Sequence, residues 1–266
     1  MDETRDEGRG EPGSDGKPAR SVGSLAWLRD TVSFYGVLVL MAVVLLGWSL
    51  LGNVLSPLLP RELGARLGQA VIRIGFRCFV QLMVWSGIVS ADLGALDALR
   101  DDRGLVIVAN HPALIDIVLV GSRLPRMVCI VKASLFGNPM LGGAKVAGYL
   151  RNDSPLSLVR GAAAVLRGGS NLLIFPEGTR SPRGQVAPFK PGFAAIARAA
   201  GSPIQPVFIQ SNTRYLEKGW PIWRRPELPL RYRVRLGSRV SVEGRAEVFS
   251  EQLRARFAEA VERTPL

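Results

Sequence analysis

The chain contains one histidine, and its neighbourhood is the most chemically suggestive in the sequence. His111 lies in Val108-Ala-Asn-His-Pro-Ala-Leu-Ile-Asp116, directly after an apolar run, with a carboxylate five positions on. Along a straight helix five residues turn through about 140°, which puts the two side chains on different faces. They meet only if His111 sits in the turn before a helix and Asp116 in its first turns. Pro112 favours that arrangement, since proline suits the first helical position. Asp116 would then hold one imidazole nitrogen and fix its tautomer, leaving the other to take a proton from a hydroxyl. No G-x-S-x-G nucleophile elbow occurs in the chain, so the substrate itself must bring the nucleophile.

A second group stands in Ile174-Phe-Pro-Glu-Gly-Thr-Arg-Ser181, again at the end of an apolar run. Ligands of open α/β sheets bind beyond the carboxyl ends of strands. Arg180 offers a planar fork for phosphate, and Glu177 could accept a hydrogen bond from a substrate hydroxyl. Gly178 permits a tight turn or a close backbone approach. Taken alone, the segment reads rather as an ordinary surface turn carrying a solvated ion pair. A third group, Phe189-Lys-Pro-Gly192, opens a helix, where Lys190 could add positive charge beside a phosphate.

The elements that would position these groups follow from periodicity. Apolar strands are expected at Leu105–Ala109, Met127–Val131, Asn171–Phe175 and Ile204–Ile209, with helices at Pro112–Ser122, Pro139–Ala147, Leu156–Leu166 and Gly192–Ala200. Arg231–Leu236 alternates charged and apolar residues, as a half-exposed strand near a sheet edge would. Ser250 is a candidate cap for a last helix through Val261. Strands alternating with helices give an α/β fold: a mixed, largely buried sheet flanked by helices.

Ahead of this lies a different kind of sequence. No charged residue occurs from Thr31 to Pro60, and Phe34–Leu55 is long enough and apolar enough to cross a bilayer as a helix. Gly47, Gly52 and Pro57 leave room for a bent or re-entrant path instead. Residues 62–85 form a second helical stretch with Glu62, Arg66, Gln69, Arg73, Arg77 and Gln81 along one side. That stripe either meets lipid phosphates from the bilayer interface or faces water while the helix packs on the first. The pair is expected to be membrane-associated. Residues 1–24 are expected to be a disordered tail, 25–90 the membrane-associated helices and 91–266 the catalytic domain. Gly8, Gly10 and Gly13 match a dinucleotide fingerprint but have no strand before them or helix after them.

The formal charge is +12, and the first thirty residues are net acidic, so the remaining body carries +14. Such a body suits anionic lipid surfaces, phosphorylated substrates or an acidic carrier protein. No nucleic-acid motif accompanies the charge, and nucleic acid is not expected as a partner. Cys78 and Cys129 are expected to be reduced, buried thiols, and no metal site is expected.

The order and spacing of NHPALID, FPEGTR, FKPG and Gln205-Pro-Val207 resemble the glycerolipid acyltransferase family typified by 1-acylglycerol-3-phosphate acyltransferases, over about residues 80–215. The resemblance implies a membrane-associated, cytoplasm-facing enzyme using acyl-CoA or acyl-carrier protein as co-substrate, without other cofactors. It implies His111 as general base with Asp116 as its partner. Glu177, Gly178, Thr179 and Arg180 would bind the acceptor's glycerol and phosphate, with Lys190 and Arg151 beside them. Two positions depart from the family. Ala113 replaces a serine common two residues after the histidine, and Arg151 follows Gly148 by three residues rather than five, with Asp153 at the usual place. Other readings are a transferase for an ornithine- or polyene-type acceptor, a thioester hydrolase, or a non-enzymatic lipid-binding module.

Overall fold

The computed structural model describes residues 24–181 and 184–262. The expected tail of residues 1–24 lies outside the described residues except Ser24, which begins the first helix, and so does the glycine fingerprint.

Five strands run parallel: β2 (Val106–Ala109), β3 (Met127–Lys132), β4 (Leu150–Asn152), β5 (Asn171–Ile174) and β6 (Ile204–Ser211). β7 (Leu230–Leu236) is antiparallel to β6, and β1 (Val89–Asp92) is parallel to β7. Together they form one mixed sheet in the order β1-β7-β6-β2-β5-β3-β4. β2 and β5, at its centre, are buried at every position, which is why they read as unbroken apolar runs. β7 does alternate in burial, but β1 covers it, so the alternation marks a strand one place in from the edge. The expected boundary between residues 90 and 91 therefore cuts through β1, because the sheet already starts at Val89.

Helices α1 (Ser24–Leu58), α2 (Arg61–Trp85), α3 (Asp116–Arg123), α4 (Ala133–Phe136) and α5 (Gly142–Val146) precede α6 (Pro155–Arg167), α7 (Gly192–Ala200) and α8 (Ala246–Glu262). α6 starts where Ser154 accepts the Ser157 N–H and Pro155 fills the first turn. α7 ends where Gly201 takes the left-handed conformation. α1, α2, α3 and α5 pack together, as do α6, α7 and α8. The chain passes rightward from β2 to β3 past β5, and leftward from β5 to β6 past β2. Right-handed crossovers in opposite directions place their helices on opposite faces, so a crevice opens at the carboxyl ends of β2 and β5.

Several expectations shift. The helix expected from Pro112 begins only at Asp116; in the turn ahead of it Leu114 donates its N–H to the Leu216 carbonyl. Ser250 lies inside α8, its hydroxyl donating to the Ala246 carbonyl, so the helix begins a turn earlier and Ser250 is no cap. Cys129 is buried but Cys78 is exposed on α2; both are free. The polar stripe of α2 divides as well. Gln69 is buried and donates to the Ala147 carbonyl, whereas Arg66, Arg77 and Gln81 stay exposed.

Candidate active site

His111 stands two residues beyond the last residue of β2. Asn110 extends the sheet into that position: its side-chain amide donates to the Ile209 carbonyl at 2.9 Å and accepts the Ile209 N–H at 2.7 Å. The side chain thereby imitates one more residue of strand pairing and fixes the backbone on which His111 hangs. Nδ1 of His111 lies 2.9 Å from Oδ2 of Asp116. The same oxygen accepts the Ala113 N–H at 2.8 Å, folding the first residue of α3 back over the turn. The His111 ring stacks on Phe175, with centroids 4.0 Å apart and planes 20° from parallel. Four elements thus hold one imidazole.

Asp116 is wholly buried, while 16% of the His111 side chain reaches solvent. Burial raises the Asp116 pKa; the hydrogen bond and charge of His111, the Ala113 amide and the charge of Arg180 act against that rise. With Nδ1 committed to the carboxylate, Nε2 is the nitrogen left to face a substrate.

The 177–181 turn grips His111 from the other side. Its N–H donates to Glu177 Oε1 at 2.8 Å, and its carbonyl accepts the Ser181 N–H at 3.0 Å. Glu177 is only 4% exposed. Its second oxygen accepts from the Ser181 hydroxyl and from the Ala187 N–H. Burial is also the main cause raising the Glu177 pKa. The Glu177 carboxylate thus accepts three internal hydrogen bonds that seat the loop under His111.

Gly178 and Thr179 are exposed beside the dyad. Gly178 has φ +68, and a β-carbon there would lie 2.9 Å from Lys190 Nζ, so Lys190 extends over the turn as its position in the sequence suggested. Arg180 is half-buried: Nη1 donates to the Leu216 and Glu217 carbonyls at 2.8 and 3.2 Å, leaving the rest of the fork turned elsewhere. Leu216 takes φ +61, and its carbonyl also accepts the Leu114 N–H at 3.1 Å. A non-glycine residue in that conformation persists where its surroundings over-determine it. Arg151 is set apart. On β4 it lies three strands from β2, roughly 14 Å at ordinary strand spacing. There it pairs with Asp153 and sits over the Phe136 ring, so the structure does not bring it to the dyad. Among the described residues no group of His, Cys, Asp or Glu is arranged to hold a metal ion.

Three contributors escaped sequence reasoning: Asn110, Phe175 and Leu216. Asn110 had a signal, a polar residue breaking an apolar strand next to a candidate base. The other two depend on contacts across 36 and more residues that no local pattern reveals. The amides after His111 are also committed, that of Ala113 to Asp116 and that of Leu114 to Leu216, so they are not free to receive an oxyanion.

The histidine–carboxylate pair and the arginine-bearing turn it faces both fall within residues 92–210, which match the family described as Acyltransferase. That match spans a little under half of the chain, and the relatives it resembles are glycerolipid acyltransferases. A 1-acyl-sn-glycerol-3-phosphate acyltransferase of Cocos nucifera is 36% identical over 39% of this chain and 36% of its own length. One from Pseudomonas aeruginosa is 27% identical over 71% of this chain and 74% of its own. The crystal structure of the 1-acyl-sn-glycerophosphate acyltransferase PlsC from Thermotoga maritima superposes with TM-score 0.63 at 25% identity, over 89% of this chain and 94% of that one. The chain spans only 35–39% of the lengths of the Cocos nucifera, Brassica napus and Arabidopsis thaliana relatives.

Proposed function

We propose that the chain transfers a fatty acyl group from acyl-CoA or acyl-carrier protein to the hydroxyl of a lysophospholipid-type acceptor, 1-acylglycerol-3-phosphate. The observation that carries this reading is the 2.9 Å contact between His111 Nδ1 and a fully buried Asp116, in a chain with no nucleophile elbow. Nε2 takes the proton of the acceptor hydroxyl as its oxygen attacks the thioester carbonyl. Asp116 steadies the imidazolium that forms. The tetrahedral intermediate then expels the thiolate, which takes the proton back from Nε2, so ester and free thiol leave and the protein is unchanged. General-base assistance of this kind supplies about 10²–10⁴-fold in rate. Most of the remainder comes from holding two substrates together. The free edge of the Arg180 fork and Lys190 are the groups for the acceptor phosphate; the route calls for no metal or redox cofactor.

The membrane reading rests on α1 and α2. α1 exposes Leu25, Val39, Val43, Leu50 and Val54, each by more than half. It is also tied to the catalytic domain along its length. Phe34 packs on Tyr215, the Ser49 hydroxyl donates to the Met140 carbonyl, and Asn53 donates to the Pro139 carbonyl. From Phe34 to Asn53 is roughly 28 Å of helix, nearly a whole hydrocarbon core. A perpendicular crossing would drag the domain's polar surface into lipid. Burial in one leaflet, with the domain on the cytoplasmic face, fits both the exposed stripe and the ties.

Purified protein with a labelled acyl thioester and a panel of lysophospholipids tests the proposal. Label is expected in the diacyl product with lysophosphatidate. Thiol release at the same rate without any acceptor would make the chain a hydrolase, and preferred transfer to an ornithine- or polyene-type acceptor would displace lysophosphatidate.

A further inference from the structure

The connection from β6 to β7 meets the site through the Leu216 and Glu217 carbonyls, and its remaining surface is rich in basic and aromatic residues. Residues 212–229 carry Arg214, Lys218, Arg224 and Arg225 against Glu217 and Glu227. Glu217 is buried and turned onto Arg214 at 3.1 Å, so three exposed cations, Arg214, Lys218 and Arg224, dominate the surface. They line a cleft of about 420 Å³ with Trp220, and the Arg224 guanidinium lies 4.8 Å above that ring. Beyond them the tip presents Ile222, half exposed, and Trp223, 74% exposed.

The tip is fastened to the first helix. Tyr35 donates its hydroxyl to the Trp223 carbonyl at 2.8 Å, and Arg225 lies 5.6 Å above the ring of Trp27, itself 53% exposed. Trp223 therefore continues the exposed stripe that α1 presents through Leu25, Leu28 and Val32. Large aromatic rings with neighbouring cations, set at the end of an apolar stripe, are the composition of a membrane–water interface. There the rings settle at headgroup depth and the cations meet lipid phosphates. A single exposed tryptophan would mean little; here it adjoins an apolar helix face and the exposed cations Arg214, Lys218 and Arg224.

We infer that the 212–229 loop is a membrane-docking element, which inserts Trp223 and Ile222 at the interface of an anionic phospholipid bilayer and holds headgroup phosphates with Arg214, Lys218 and Arg224. The inference rests on the membrane residence proposed above and adds the element that meets the headgroups. The root of the loop is the Leu216 carbonyl that Arg180 and Leu114 share, so docking sets the loop on the same side chains that flank His111.

The full chain carrying Cys78→Ser and Trp223→Cys, labelled with an environment-sensitive nitrobenzoxadiazole dye, tests this in nanodiscs. Cys129 is buried and stays unlabelled. With one quarter phosphatidylglycerol in phosphatidylcholine, the emission should move to shorter wavelength relative to detergent-free phosphatidylcholine discs. Adding Lys218→Glu and Arg224→Glu should abolish that movement while the chain remains bound to the discs. Water-like emission in both lipids, equal emission in both, or a shift that survives charge reversal would each overturn the inference. The readout needs no turnover, so it can fail while acyl transfer stands, and acyl transfer can fail while it stands.

Discussion

Replacing Asp116 with asparagine separates orientation from charge at the proposed base. Oδ2 of Asp116 accepts two hydrogen bonds, from His111 Nδ1 at 2.9 Å and from the Ala113 amide at 2.8 Å, while Oδ1 is buried without a partner. In Asp116→Asn the carboxamide has two orientations. Placing its NH2 where Oδ2 lies would set that group against the Ala113 N–H, donor facing donor. The oxygen must therefore take the Oδ2 place, and His111 keeps its Nδ1–H tautomer with Nε2 still free to accept. What is lost is charge. A hydrogen bond to a charged group contributes about 1.5–3 kcal/mol and a neutral one about 0.5–1.5. Weaker support of the imidazolium brings the total loss to roughly 1.5–3 kcal/mol. At about 1.4 kcal/mol per decade, kcat should fall roughly 10- to 100-fold. A serine-protease dyad whose tautomer is lost on the same change suffers about 10⁴. The assay is kcat at saturating thioester and acceptor, on protein whose melting temperature shows it folded. A loss near 10⁴-fold would refute the claim that Ala113 fixes the carboxamide.

The remaining predictions concern the supports of the site. Asn110→Ala removes two hydrogen bonds and leaves the buried Ile209 amide unpaired, costing about 2–4 kcal/mol. At about 2–4 °C per kcal/mol for a chain of this size, the melting temperature should fall by roughly 4–16 °C, whereas a change within about 2 °C would show that Asn110 does not hold the strand end. Arg180→Ala should raise the acceptor's KM more than the donor's; an unchanged acceptor KM would take Arg180 out of the phosphate site. Burial raises the folded pKa of Asp116 above its ordinary 3.8. The folded state therefore binds that proton more tightly, and the group's contribution to stability is full below 3.8 and is lost as pH rises through the raised value. Denaturant titrations at pH 4 and pH 7 should thus show Asp116→Asn gaining on the parent chain at the higher pH, and an equal difference at both would contradict the burial argument.

The proposed dyad was legible because its constraint is local. A proline after the histidine and an aspartate five residues on admit one arrangement in which the groups touch, and the structure adopts it even though the helix starts at Asp116 rather than Pro112. Central strands were legible for the same kind of reason, since β2 and β5 are buried on both faces and carry no polar interruption. The short strands were not. β1 and β4 are four and three residues long and lie at the edges, where pairing with β7 and β3 decides their conformation and no period marks it. The part Glu177 plays in seating the loop was not legible, because its partners, His111, Ser181 and Ala187, come together only through the fold. From sequence, a glutamate beside an arginine and a glycine has the look of an exposed ligand group. Cys78 was misread as buried because apolar neighbours were equated with burial, and on a helix that offers an apolar face outward the two differ.

Turnover of His111→Ala with labelled acyl thioester and lysophosphatidate is the most direct trial of the chemistry assigned to this site. That variant should fold, remain membrane-bound and lose at least 10²-fold in kcat, the scale of a missing general base. Product formed at nearly the parent rate would mean the imidazole carries no proton, and the assignment of His111 would be wrong.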